Sequence, residues 1–274
     1  MNKSGSLFAT LFLLAGLLAS TASGADLNIE QVKTTPAVWP NQIKVAELLD
    51  YGSVKIPAGT VVDFLDFQGK DARFEFKGQI FLIEPEVTDL LAKANAIANG
   101  QVAGWHGRTA DYLVRKAQQV TATGFAPLKA ETIKDDTIFV VYYGSSECGF
   151  CASALPFMNH TLDLLDQLHP GRIVRVYTTG EAATAAARNY SRSLGAGWVA
   201  APLGDRYLWS GLPTLVPGAD RALNYPALAL VTPKGEFLAA GMRQAKGTVD
   251  VDNVLRKLEQ VLQAPAKVAA VRGP

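Results

Sequence analysis

The residues best suited to chemistry are the chain's two cysteines, Cys148 and Cys151, three positions apart in the run Ser145-Ser146-Glu147-Cys148-Gly149-Phe150-Cys151. They follow a continuous apolar stretch, Thr137 to Tyr143, and open a helical pattern, so the first cysteine falls at the start of a helix. A thiol there lies among unpaired N–H groups and near the positive end of the helix dipole, and both favour the thiolate. The second thiol sits in the first turn, within disulfide reach. Such a pair can exchange disulfides: the first sulfur attacks and the second resolves the mixed disulfide. Two other uses of the pair stand beside this one. Zinc needs four ligands, and beyond the pair the chain offers His106, His160 and His169, which are not clustered. A purely structural disulfide at this spacing closes so short a loop that it adds little stability.

Positioning the pair falls to a strand–helix–strand–helix pattern from Asp135 onward. Thr137 to Tyr143 reads as a buried strand and Gly149 to Leu168 as a helix with Leu155, Met158, Leu162 and Leu165 on one face. Arg172 to Thr178 is a second strand and Glu181 to Leu194 an Ala-rich helix. Ala227 to Thr232 and Glu236 to Ala240 are strands joined by the turn Pro233-Lys234-Gly235. A stripe of Val251, Val254, Leu255, Leu258, Val261 and Leu262 marks a last amphipathic helix, and the tail 264–274 is loose. Between Gly195 and Asn224 no period is visible; Trp198, Tyr207, Trp209 and Leu215 in that stretch either pack an insertion or overhang the cysteines.

The half before Asp135 reads differently. Residues 26–50 hold Pro36 and Pro40 and then a short helical pattern through Val45, Leu48 and Leu49. Val61 to Phe67, Ala72 to Phe76 and Gln79 to Ile83 read as short strands separated by the turns at Gln68-Gly69-Lys70-Asp71 and Lys77-Gly78. A small β-rich unit over 26–84 follows, a barrel or a meander. Val54 to Ile83 resembles bacterial SH3-like domains in its Ile-Pro-Ala-Gly-Thr opening and its Lys-Gly turn. Residues 85–134 read as a connector: a helix from Pro85 to Gly100, a second through Leu113 and Ala117, and a mixed linker from Thr121 to Lys134.

Residues 135–263 resemble a thioredoxin-like domain, α/β in class with a central sheet flanked by helices. The resemblance rests on the placement of Cys-Gly-Phe-Cys between strand and helix, on Pro156 five residues after the second cysteine, on Asn224-Tyr225-Pro226 before a strand, and on the closing hairpin and helix. It implies that Cys148 is the nucleophile and Cys151 the resolving thiol. It also implies a cis Tyr225–Pro226 bond, which forms a backbone platform for substrate, and no cofactor or metal. Glu147 stands where cytosolic thioredoxins carry Trp, and Tyr142 where they bury an Asp, which argues against a fast general reductase. An exported chain with this motif behind an N-terminal β-unit is more similar to periplasmic disulfide isomerases. His160 lies more than two turns down the helix, too far to serve the thiols as a base, and His106 beside Trp105 belongs to the connector.

The remaining features bound the setting. The chain has 274 residues, 49% hydrophobic and 19% charged, with 26 basic against 25 acidic side chains, so bulk charge suggests neither nucleic acid nor anionic lipid as partner. Lys3, the apolar run Leu7 to Leu18 and the small residues Ser23-Gly24-Ala25 form a signal-peptide pattern cleaved near Ala25. Export to the periplasm or the outside, with no membrane span in the mature chain, is expected. Protein thiols and a redox partner protein are the expected partners, with a monomer favoured. The expected activity is thiol–disulfide exchange on protein substrates, as a reductase or isomerase. The alternative is a non-catalytic binding module in which the SH3-like unit holds a partner and the thioredoxin-like domain is scaffold.

Overall fold

In the computed structural model, residues 26–102, 107–179, 181, 183–203, 208, 225–242 and 251–264 are described. Residues 1–25, where a signal peptide is expected, and those from 265 lie outside them, as do Trp105, His106, Tyr207, Trp209, Leu215 and Asn224.

The chain begins with α1 (Ile29–Lys33), entered through a capping box in which Asn28 and Gln31 satisfy each other's backbone N–H. Strands β1 (Gln42–Lys44), β4 (Val61–Gln68), β5 (Asp71–Phe76) and β6 (Gln79–Ile83) form an antiparallel sheet in the order β1-β4-β5-β6, while β2 (Leu49–Asp50) and β3 (Lys55–Ile56) make a small hairpin. The turn between β5 and β6 has two residues, Lys77 and Gly78, both at positive φ, the geometry that matches the twist of the flanking strands. Helix α2 (Leu90–Ala98) follows a 3-10 turn at Pro85–Val87 and lays Leu90 and Ala94 on a core of Ile43, Val62, Phe64 and Phe74. The helical pattern at Val45, Leu48 and Leu49 does not form a helix. Val45 is buried and bridges Thr88, Leu48 is exposed, and Leu49 pairs with Ile56, so backbone pairing to neighbouring segments prevails over a weak local period.

Helix α3 (Arg108–Lys116) leads into a seven-stranded sheet built from β7 (Gln118–Thr121), β8 (Gly124–Pro127), β9 (Ile138–Gly144), β10 (Ile173–Thr179), β11 (Val199–Ala200), β12 (Ala227–Val231) and β13 (Phe237–Met242). Their order is β13-β12-β9-β10-β11-β7-β8. β9 and β10 are parallel and joined through α4 (Gly149–Leu168), while β12 runs antiparallel to β9 and forms a hairpin with β13. Helix α5 (Thr184–Leu194) connects β10 to β11, and α6 (Val251–Gln263) closes the chain. α4 and α6 cover one face, packing Met158, Leu162, Val254 and Leu258 on Val140 and Leu230; α3 covers the other, with Leu113 near Phe139 and Val141. This is the α/β thioredoxin fold, with β7, β8 and β11 widening one side. Residues 118–127 are therefore a sheet hairpin and not part of a linker. Their strands are too short for periodicity to reveal, and the pairing partner of β7, Val199-Ala200, lies far away in sequence.

The two sheets are joined through α3. Gly107, at φ 112°, enters the helix where an added Cβ would lie 2.6 Å from the Pro233 carbonyl oxygen and the Lys234 Cα. That carbonyl accepts the N–H groups of Thr109 and Ala110 at 2.9 and 3.1 Å, so the β12–β13 turn caps the helix. Arg108 is 3% exposed and reaches the other way. In β4 the register shifts between Phe64 and Asp66, leaving Leu65 as the extra residue of a bulge. The Arg108 guanidinium donates to the carbonyls of Phe64 and Leu65 and stacks on Trp39 and Phe64, 5.0 and 5.2 Å from their ring centroids. Two turns on, Arg115 and Lys116 sit 3.2 and 2.7 Å from Asp63. Burial works against ionisation of Asp63, but hydrogen bonds from Lys116 and Gln42 and the charges of Lys116 and Arg115 outweigh it and hold the carboxyl below the usual carboxylate value. Arg108→Ala strands the two carbonyls and is expected to lower the protein's stability by about 2–4 kcal/mol, read as a lower urea midpoint; a change under about 0.5 kcal/mol, the size of an ordinary surface substitution, contradicts the clamp.

Candidate active site

Strand β9 is buried along its whole length, and its last residue, Gly144, delivers the chain to the loop that carries the cysteines. The Cys148 N–H donates to the Ser145 carbonyl at 3.2 Å, closing a turn, and α4 begins immediately after it. Cys148 is the N-cap: its Sγ accepts the Cys151 N–H at 3.1 Å, as a serine or aspartate oxygen does in this position. The two sulfurs form a disulfide with Cα atoms 5.2 Å apart, within the ordinary range. Their surroundings differ. Cys148 is half-buried, while Cys151 is fully buried against Tyr142, Met158 and the α6 side chains. Phe150, between them, is 51% exposed. α4 runs through Pro156, its inward face held by Met158, Leu162 and Leu165.

Two of the residues singled out in the sequence, Tyr225 and Pro226, are brought to the same end of the sheet. The Tyr225–Pro226 bond is cis, the conformation that the resemblance to thioredoxin-like domains implies. The following residue, Ala227, pairs with Tyr143, so the proline stands beside the end of β9. Pro226 is buried, and Tyr225 packs on the cluster that holds both cysteines. His160 is exposed, and at 1.5 Å per residue the helix carries it roughly 18 Å from Cys148. Among the described residues no group of three or more His, Cys, Asp or Glu is placed to hold a metal ion, and no helix is long and apolar enough to cross a membrane.

Behind the cysteines lies a tyrosine cluster that sequence reasoning did not assemble. Tyr142 and Tyr177 occupy the same register position on the parallel strands β9 and β10. The Tyr142 hydroxyl lies 3.1 Å from that of Tyr190 on α5, and the Tyr177 hydroxyl donates to the Gly144 carbonyl at 3.4 Å. Trp198 closes the cluster edge-on to Tyr142. Gly144 is required here, because a Cβ would meet the Tyr142 ring and hydroxyl at 2.6 Å. Glu181, just past β10, was equally unsuspected: its carboxylate accepts the Ser146 N–H in the loop before Cys148. No local spacing relates these residues: the parallel register pairs Tyr142 with Tyr177, helix α5 brings Tyr190 to Tyr142, and the turn after β10 brings Glu181 to the loop.

No protein-family model matches the chain, and no curated protein matches it. Among solved structures, it is similar to a thioredoxin from Wuchereria bancrofti, at 13% identity over 55% of this chain and 95% of that one, with a TM-score of 0.37. A secreted Mycobacterium tuberculosis disulfide oxidoreductase homologous to E. coli DsbE matches at 13% identity over 54% and 98%, with a TM-score of 0.35. A putative thiol:disulfide interchange protein DsbE from Chlorobium tepidum matches at 17% over 53% and 92%, also with a TM-score of 0.35. The strand order and the α4 crossover define the fold independently of these scores.

Two outcomes are expected from this geometry. In the reduced protein, iodoacetamide should label Cys148 about tenfold or more faster than Cys151, since only the first sulfur is both capped by an N–H and reachable; equal rates by peptide mapping contradict it. The tyrosines give a pH dependence. Burial foremost, with the neighbouring hydroxyls, pushes Tyr142 well above the ordinary 10.0, and burial likewise raises Tyr177, Tyr190 and Tyr225. The folded state thus binds these protons more tightly than the unfolded chain. Their contribution is complete below about pH 10 and is lost as pH rises beyond it. The urea midpoint should fall above that pH in step with tyrosinate absorbance, and a flat midpoint to about pH 11 contradicts it.

Proposed function

We propose that the protein is an exported thiol–disulfide oxidoreductase acting on protein thiols, as a reductase or isomerase. The observation that carries this is the asymmetric cysteine pair, with a half-buried Cys148 sulfur accepting an N–H at the start of α4 and a fully buried Cys151 in disulfide bond with it, beside Tyr225-Pro226 at the same sheet end. In the reduced protein the Cys148 thiolate attacks one sulfur of a substrate disulfide, forming a mixed disulfide and releasing the other substrate sulfur as a thiolate. The Cys151 thiolate then attacks the Cys148 sulfur. The second substrate sulfur leaves, the substrate has gained two electrons, and the Cys148–Cys151 disulfide has formed. A dithiol donor, in this reading a redox partner protein, restores the reduced pair by the reverse exchange. In isomerisation the mixed disulfide is instead resolved by another thiol of the substrate, with no net electron transfer.

Tyr225 and Pro226 are assigned the backbone edge on which an extended substrate segment lies. The leader pattern of residues 1–25 supports export. The N-terminal sheet, whose likeness to SH3-like domains is a matter of sequence, is assigned the selection of clients. Its attachment in cis through Arg108 supports a monomer. The test is reduction of insulin by dithiothreitol: the protein should accelerate precipitation of the B chain, and Cys148→Ser should reduce the rate to that of dithiothreitol alone. An unaccelerated wild-type reaction, or an active Cys148→Ser, overturns the reading.

A further inference from the structure

The loop Ser145–Glu147 is held from outside its own strand and helix by one side chain. Glu181 follows β10, its backbone N–H donating to Thr179 Oγ1 at 2.8 Å, and its carboxylate accepts the Ser146 N–H two residues before Cys148. A hydrogen bond to a carboxylate is about twice as strong as a neutral one, and it fixes the charge where the bond is. Among the described residues no Lys, Arg or His forms an ion pair with Glu181.

We propose that Glu181 is a positioning residue for the redox pair: its carboxylate fixes the loop through the Ser146 N–H, and its negative charge opposes thiolate formation at Cys148. The inference rests on the reading of Cys148 as the attacking thiol. Three tyrosines on other elements feel the charge of this carboxylate. Tyr177 comes from β10, Tyr190 from α5, and Tyr225 from the residue before the cis proline. Each of these hydroxyls is pushed up by burial first and by the Glu181 charge in addition. The tyrosines are neutral where thiols titrate and supply no counter-charge. The remaining acid of the loop is Glu147, whose N–H donates to Ser145 Oγ. Cys148 thus receives two opposed influences. The Cys151 N–H and the start of α4 favour its thiolate, and Glu181 works against it. Removing that carboxylate's charge while keeping its acceptor oxygen should shift the balance toward the thiolate, stabilise the dithiol form and make the couple more oxidising.

The experiment uses the whole protein carrying Cys151→Ser, so that one thiol titrates, and follows thiolate absorbance at 240 nm against pH. Glu181→Gln keeps an oxygen for the Ser146 N–H and removes the charge. The midpoint is expected to move to lower pH by about half a unit, and the iodoacetamide rate below the midpoint to rise about threefold. With both cysteines present, the potential of the E181Q couple should become less negative. Glu181→Ala removes the acceptor as well, and amide exchange at Ser146 should then speed up, while E181Q and wild type stay protected. A midpoint that is unchanged or raised in E181Q overturns the electrostatic part. Equal Ser146 exchange in wild type and E181A overturns the positioning part. The titration reads Cys148 directly, whatever the insulin assay returns, so a failure of the activity and a failure of this inference are separate results.

Discussion

Every residue of β9 is buried, on one face against α4 and α6 and on the other against α3. A strand enclosed on both faces can present chemistry only at its ends. Its C-terminal end is where Gly144 turns the chain, where α4 starts, and where the antiparallel β12 begins at its cis proline. The site is thus a consequence of the central strand's burial. Two chain directions meet at one edge, one bringing a helix N-terminus and the other a rigid backbone segment without an N–H at Pro226.

The same burial explains why the two cysteines, three residues apart, are chemically unlike. Cys148 ends the loop and Cys151 begins the first inward row of α4, continued by Met158, Leu162 and Leu165. One step along the helix therefore separates a sulfur near solvent from a sulfur in the core. Desolvation disfavours the thiolate of the inner cysteine, while the backbone N–H cap favours that of the outer one. The difference follows from helix geometry and needs no basic side chain.

Much of this was legible in the sequence because the informative signals were local. The buried strand before the cysteines, the helix Gly149–Leu168, the last amphipathic helix and the two-residue Lys77-Gly78 turn all follow from period and turn chemistry within a few residues. What escaped was held by distant partners. β7 and β8 are four residues each and gain their identity from Val199 and Ala200. Val45 is part of a sheet edge because Thr88 bridges it. The tyrosine cluster exists because β9 and β10 are parallel and in register, a pairing that places residues 142 and 177 side by side. Tyr142 was visible only as a departure, a phenol where related folds bury an acid, and its partners on β10 and α5 carried no signal of their own.

The cluster also changes what kind of interior the cysteines face. A buried carboxylate beside Cys151 would be a second titrating group coupled to the thiols. Tyr142 and Tyr190 instead share a hydroxyl–hydroxyl contact in a site dry enough to keep both protonated. They add polarity without charge. The carboxylate of this site lies at the loop, on Glu181, where it meets a backbone N–H rather than the inner sulfur. Charge is thereby placed on the solvent side of the pair and neutrality on the core side. The charged and polar groups of the loop thus border the half-buried Cys148, while the apolar side chains of α4 and α6 surround Cys151.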